Sequence, residues 1–370
     1  MPARPRALVL TGFPAIGGPL PKLAPLVVDG LRAGGFEVRV EGWSAHTAGH
    51  EPLLAKVLGR SGDLARVLRR LREWRPDVVY VATAHNWPGL LRDLPLLLSV
   101  PRGRPPVVVH LHGSQSHLLV DRGHAVLKRA SRVLARRAAT VLLLSREELR
   151  EWRAAIPEGR YEVVANPFVP DPRAAAVAAA RRPPAEATLL CVARLIPEKG
   201  VVDLLDAFAL LRRRRPCRLV VAGSGPLREA LARRAALLGV AADVRLAGYV
   251  GDDGLHELYA GADVFVLPTY FAEGFPLAVV EAMSYGLPVV TTRIRGCADH
   301  LEPGRNAVFV PPRDPEALAA ALDGLLADGG AYRAMAAANA AAVARYAPER
   351  VMPAYVAALE RAMAGPGEER

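Results

Sequence analysis

Short runs rich in Val, Leu and Ala recur along this chain, separated by longer stretches in which apolar residues return every three or four positions. Runs at 7–10, 37–40, 78–82, 107–111, 140–144 and 161–165 are bounded by turns, and helical patterns such as 20–33 lie between them. That alternation predicts parallel strands buried on both faces and covered by helices. The stretch 170–187 (PDPRAAAVAAARRPPAEA) breaks the pattern. Proline flanks it and alanine fills its middle, so it reads as a linker with a short helix. A second alternation follows, with strands expected at 189–192, 218–221, 244–247, 264–267, 288–291 and 307–310. The tail 348–363 has apolar residues at helical spacing, and no repeat of solenoid length occurs. A chain of 370 residues exceeds one ordinary core. The expected division is an acceptor-side domain over 1–168, a linker over 169–187, a second α/β domain over 188–347 and a terminal helix over 348–370.

Composition narrows the class. With 51% hydrophobic and 23% charged residues the chain reads as globular, and no apolar run reaches the ~20 residues needed to span a bilayer. The opening MPARPRALVLTG reads as a first strand and not as a signal peptide. Cys191, Cys217 and Cys297 are scattered, suit a reducing cytoplasm and make no metal-ligand spacing. The net charge of +11 reads first as a solvated basic surface and second as attraction to anionic partners. Lys128, Arg129, Arg132, Arg136 and Arg137 share a helical pattern with Val126, Leu127, Val133 and Leu134. An ordinary surface helix is the first reading of it. A helix lying on a bilayer is the second, which keeps peripheral association with the inner membrane surface open. Nucleic acid is excluded as a partner for want of any motif.

The chemistry concentrates at 268–288, PTYFAEGFPLAVVEAMSYGLP. Glu273 and Glu281 stand eight apart, with a Gly-Phe-Pro turn after the first and a helical pattern around the second. Pro276 suits a first helical turn, and the helix start directs free N–H groups at whatever lies above, a natural phosphate site. These residues, with Ala-Met and Gly-x-Pro-Val-Val after them, resemble the signature of retaining glycosyltransferases of family four. The resemblance runs from about residue 11 to about residue 355 and is densest over 189–315. It implies the GT-B fold, two Rossmann-like doubly wound domains facing across a cleft. It also implies a nucleotide-sugar donor, with UDP and GDP both open, and leaves the acceptor unidentified.

Candidate site residues follow predicted strands, where open α/β sheets bind ligands. Arg194 and Lys199 in ARLIPEKG can reach one diphosphate from one loop. Gly223 and Gly225 in VAGSGPL permit a tight strand-to-helix turn, which is equally an ordinary structural turn. The resemblance places Arg194 and Lys199 on the donor phosphates and Tyr249 and Val250 near the base. It places Glu281 on the ribose hydroxyls, Glu273 on the donor sugar, and the backbone of Gly274, Phe275, Pro276 and Leu277 on sugar or phosphate. It also puts Gly17 and Gly18 near the phosphates and His112 on the donor sugar; His110, two residues earlier and inside the strand, reads as structural. Here the first loop is crowded by Pro14, Pro19 and Pro21, and Asn166-Pro167 replaces the family's Asn-Gly. By position alone, His85, Asn86, Trp87 and Ser114 are acceptor candidates or ordinary loop residues. No Asp-x-Asp occurs, so neither a divalent metal nor another cofactor is expected. A non-catalytic sugar-nucleotide-binding subunit, or another GT-B enzyme such as an epimerase or phosphorylase, stays open as the alternative.

Overall fold

The computed structural model of the chain describes residues 4–12, 20–43, 53–101 and 104–365. Two six-stranded sheets, parallel throughout, organise it. The first holds β1 (Arg6–Thr11), β2 (Glu37–Gly42), β3 (Val78–His85), β4 (Val107–Ser114), β5 (Thr140–Leu143) and β6 (Tyr161–Val163), ordered β2-β1-β3-β4-β5-β6. Between these strands lie α1 (Leu20–Ala33), α2 (Leu53–Trp74), α3 (Trp87–Ser99), α4 (His117–Val120), α5 (Ala125–Arg137) and α6 (Arg146–Ala155). After α7 (Ala174–Ala180) the second sheet holds β7 (Ala187–Val192), β8 (Cys217–Ala222), β9 (Val244–Gly248), β10 (Val264–Leu267), β11 (Val289–Thr292) and β12 (Ala307–Val310). Its order is β12-β11-β10-β7-β8-β9. The helices here are α8 (Val201–Arg212), α9 (Arg228–Leu237), α10 (Asp252–Gly261), α11 (Leu277–Ser284), α12 (Arg295–His300), α13 (Pro315–Ala327), α14 (Gly329–Ala342) and α15 (Pro348–Ala364).

The chain divides into two compact units. The first runs to Phe168 and includes Ala272–Gly274 and everything from Tyr346; the second comprises Val169–Phe271 and Phe275–Arg345. In the first unit alternate residues of β3 and β4 fill opposite faces, as the two-residue period of a strand requires. Val79, Val81, Val107 and Val109 pack with α2, α3, α5 and α6. Val78, Tyr80 and Val108 pack with α1 and with Val351, Met352, Tyr355 and Leu359 of α15. The contact between α1 and α15 is close because Gly30 has no side chain; a Cβ there would lie 2.2 Å from Met352 Cγ.

Several strands outrun their sequence patterns. β4 continues to Ser114, so His112 and Gly113 lie within it and not beyond its end. The stretch 169–187 is a structured arm of the second unit. Arg181, buried there, donates from Nε to the Tyr285 carbonyl at 2.9 Å and from Nη2 to the Tyr259 carbonyl at 3.2 Å.

Each sheet reverses its winding once. In the first the reversal falls between β1 and β3; in the second it falls between β7 and β10. Ligand crevices of doubly wound sheets open at such points, beyond the carboxyl ends of the strands.

Candidate functional site

The second unit assembles its site from the loops that leave β7, β8 and β10. The loop after β7 carries Arg194, and a short 3₁₀ turn at Pro197–Lys199 carries Lys199. Gly200 follows at φ +67°, where a Cβ would lie 2.1 Å from the Pro268 carbonyl oxygen. Only glycine lets the β7 loop approach the β10 loop so closely. Hydrogen bonds fix the contact: Tyr270 N donates to the Glu198 carbonyl at 2.8 Å, and Thr269 Oγ1 to the same oxygen at 3.2 Å. On the other side Gly223, at φ +140°, would put a Cβ 1.8 Å from the Ala193 carbonyl oxygen. Leu195 N donates to the Ser224 carbonyl at 2.9 Å, and Gly223 N to the Gly248 carbonyl at 2.7 Å. Gly223 and Gly225 therefore hold the Arg194 loop in register with β8 and β9.

This knitting brings two cations to one ring. Arg194 Cζ lies 5.0 Å and Lys199 Nζ 5.2 Å from the centroid of Phe271. Arg194 is exposed, and Lys199 is buried. Phe271 escaped the sequence reading, though an aromatic two residues before Glu273 in TYFAEGFP was its signal. The turn 274–276 then leads into α11, with Pro276 extended at φ −63°, ψ 126° as the residue before the helix. Proline stands at the cap and not inside the first turn, so Glu273 lies outside the helix that carries Glu281. The turn, and not helical periodicity, sets the relation of the two acids. Phe275 is buried and stacks on His300 at 4.7 Å between ring centroids.

Glu281 is half-buried on α11 and accepts a hydrogen bond from Tyr259 Oη at 2.9 Å. Burial, and then the charge of Glu281, push the Tyr259 phenol well up, so it stays a neutral donor. Tyr259 also stacks on Tyr285, whose hydroxyl meets His256 Nδ1 at 2.8 Å. None of these partners was named from the sequence, although the apolar neighbours of Glu281 demanded one. Tyr249 follows β9 with 80% of its surface exposed, and Val250 is half-buried beside it in the chain.

In the first unit His112 is half-buried on β4, its ring 4.0 Å from that of His110. Burial draws the His112 pKa down to about 4, against an opposing contribution from Asn166. It is thus a neutral imidazole at neutral pH. His110 is fully buried, takes a 2.6 Å hydrogen bond with Tyr80 through Nδ1, and burial lowers its pKa strongly.

The four acceptor candidates separate. His85 is 1% exposed, with Nε2 2.8 Å from Ser131 Oγ and Nδ1 3.2 Å from Ser114 Oγ. Ser114 also accepts from Trp152 Nε1 at 3.2 Å. Both are interior residues that join β3, β4, α5 and α6, and the expectation that they meet an acceptor directly is corrected on that ground. Asn86 caps α3, accepting from Gly89 N at 2.9 Å. Trp87, the first residue of α3, reaches the surface. Gly17 and Gly18 lie outside the described residues. Among the described residues no group of three or more His, Cys, Asp or Glu could hold a metal ion.

Sequence comparison agrees with this geometry. Residues 186–328 match the family described as glycosyl transferases group 1, and residues 28–171 match glycosyltransferase family 4. The alpha-D-kanosaminyltransferase of Streptomyces kanamyceticus is 30% identical over 287 residues, 72% of this chain and 73% of its own. The chain belongs to glycosyltransferase family four. Glycogen synthase of Mycobacterium tuberculosis is 31% identical over 281 residues, 74% of this chain and 65% of that protein. An uncharacterized glycosyltransferase of Methanocaldococcus jannaschii is 36% identical over 145 residues, 39% of this chain. The chain spans only 37% of that archaeal relative's length. Two solved structures share the fold: sucrose-phosphate synthase from Thermosynechococcus elongatus and Anabaena HepE, the latter in complex with UDP and glucose. The first has a TM-score of 0.76 at 19% identity over 95% of this chain and 97% of its own. The second has 0.72 at 19% over 96% and 99%. The family four chain thus has the GT-B type of architecture, built from two Rossmann-like units.

Proposed function

We propose that the chain transfers a hexosyl unit from a UDP- or GDP-linked sugar to an acceptor hydroxyl, with retention of anomeric configuration. The observation that carries this reading is the placement of Arg194 and Lys199 within about 5 Å of the Phe271 ring, at the switch point of the second sheet, in the unit that also holds the start of α11. A diphosphate held there meets two cations and the N-terminal end of α11. The HepE complex with UDP and glucose supports a nucleotide-sugar ligand for the fold.

In the reaction the anomeric C–O bond to the diphosphate breaks, and a new C–O bond to the acceptor forms on the same sugar face. The acceptor proton passes to the departing phosphate oxygen. Arg194, Lys199 and the α11 N-terminus stabilise the charge that grows on the leaving group. Glu281, oriented by Tyr259, takes the ribose hydroxyls, and Glu273 with neutral His112 takes the hydroxyls of the donor sugar. The first unit supplies the acceptor site, with Trp87 its exposed candidate. Transfer is proposed to need no divalent metal, on the lack of an Asp-x-Asp motif. A cytoplasmic setting is proposed because Cys191, Cys217 and Cys297 are all free and buried.

Thermal shift with UDP- and GDP-sugars identifies the donor base, since a ligand of the folded state raises Tm with its concentration. Arg194→Ala and Lys199→Ala are each expected to lower transfer by about 10²–10³-fold, measured as kcat. An inverted product by NMR, or loss of transfer on chelation, would overturn the retaining or the metal-free part. Donor binding without transfer or hydrolysis would leave a binding subunit instead.

A further inference from the structure

Helix α3 buries Leu90, Leu96 and Leu97 in the core, yet it presents apolar side chains on its solvent face as well. Its only charged side chains, Arg92 and Asp93, turn inward. Asp93 is 1% exposed and accepts from Trp43 Nε1 at 2.7 Å and Thr83 Oγ1 at 2.6 Å, while Arg92 Nε donates to it at 2.8 Å. The outward face carries Trp87, Leu91 and Leu98, exposed by 41%, 60% and 53%. Spacings of four and seven place all three within about 40° around the helix axis. Six of the eleven large hydrophobic side chains exposed among the described residues lie on α2 to α5, one helical layer over one face of the first sheet. Val126 of α5 is the most exposed of those six, at 71%.

The same layer is basic. α5 packs beside α3 and holds five Lys and Arg and no acidic residue. Arg132 and Arg136 share Glu158, at 2.8 and 3.2 Å, while Arg129 continues the outward row from Val126. A stripe of Trp and Leu beside a cationic helix pairs an apolar signal with an electrostatic one, the combination that holds a protein at an anionic lipid surface.

We infer that the α3–α5 face of the first unit docks on an anionic lipid bilayer, with Trp87, Leu91 and Leu98 entering the interface and the α5 cations facing the headgroups. Trp87 stands at the carboxyl end of β3, beside the switch point of the first sheet. Docking there brings an amphiphilic acceptor held in the membrane to the acceptor side of the site; that last step alone rests on the proposed transfer reaction.

Trp87 offers a direct readout, since Trp43, Trp74 and Trp152 are each 5% exposed or less. The full chain is mixed with vesicles of phosphatidylcholine, with or without phosphatidylglycerol, and followed by co-sedimentation and tryptophan emission. Anionic vesicles are expected to bind at least about tenfold more chain than neutral ones, the difference shrinking with added salt. Emission should move to shorter wavelength, and Trp87→Phe should abolish that shift. Leu91→Gln with Leu98→Gln, which adds no charge, should lower binding about tenfold while Tm and donor affinity stay unchanged. Arg129→Gln should lower binding to anionic vesicles only. Vesicle binding that ignores the leucine pair would overturn the assignment. So would no binding at all, or a dimer in solution that the leucine pair converts to monomer, which would give the face to a second copy. Donor titration is read separately, so a failure of docking and a failure of the transferase reading are distinguishable.

Discussion

Glu281 owes its setting to a residue far from it in sequence. Tyr259 Oη holds one carboxylate oxygen at 2.9 Å from within the core and so fixes the orientation of the group. Tyr259→Phe keeps the ring and removes that donor. It is expected to cost about 1–2 kcal/mol in chemical denaturation and to weaken donor binding, as measured by titration. His112 gives a pH prediction whose direction follows from burial. Its pKa falls from 6.5 to about 4 in the fold, so the unfolded chain takes up a proton first as pH drops. Stability that is complete above pH 6.5 is therefore lost as pH falls from 6.5 towards 4, on the order of 1–2 kcal/mol once its partial exposure is allowed for. Tm measured across that range should slope, and His112→Gln should flatten the slope. The two acids of the 268–288 stretch and the Arg194–Lys199 loop were legible as residues. Tyr259 and Phe271 were not, because nothing local distinguishes a core aromatic from one that meets a charge.

At the scale of elements, apolar runs placed the strands well. The limits of β10 and β12 match their patterns residue for residue, as α1 does its helical one. Strand ends were less legible: β3 and β4 each continue to residues that bond across the sheet, His85 and Ser114. Such extensions depend on pairing with a neighbour and not on local composition. Turn chemistry was legible at Gly223, whose φ of +140° and 1.8 Å approach to Ala193 demand glycine. Gly223→Ala is expected to destabilise the second unit by about 1–3 kcal/mol and to weaken donor binding, both measurable on one purified variant. Helix α3 shows what pairing with distant residues decides: Trp43 and Thr83 hold Asp93 in the interior beside Leu90, Leu96 and Leu97, while Leu91 and Leu98 stay at the surface.

At the scale of the molecule, α15 is part of the first unit although more than 170 residues separate it from β6. Tyr355 Oη donates to the Ala165 carbonyl at 3.0 Å, and Arg361 pairs with Glu162. Ending the chain before Pro348 strips Val351, Met352, Tyr355 and Leu359 from one face of the first sheet. Each large side chain lost from a core costs about 2–5 kcal/mol. The shortened chain is therefore expected to lose the cooperative unfolding of that unit by calorimetry. The sequence by itself determined where strands and helices form, where turns need glycine, and which segments carry the cations and the acids, because periodicity, steric freedom and side-chain chemistry act over a few residues. Only the tertiary structure decided the strand order with its two switch points, the partner of Glu281, the meeting of Arg194 and Lys199 at Phe271, and the burial of Asp93 on α3. Each of those depends on which distant segments exclude water together, a choice that no short stretch of chain contains.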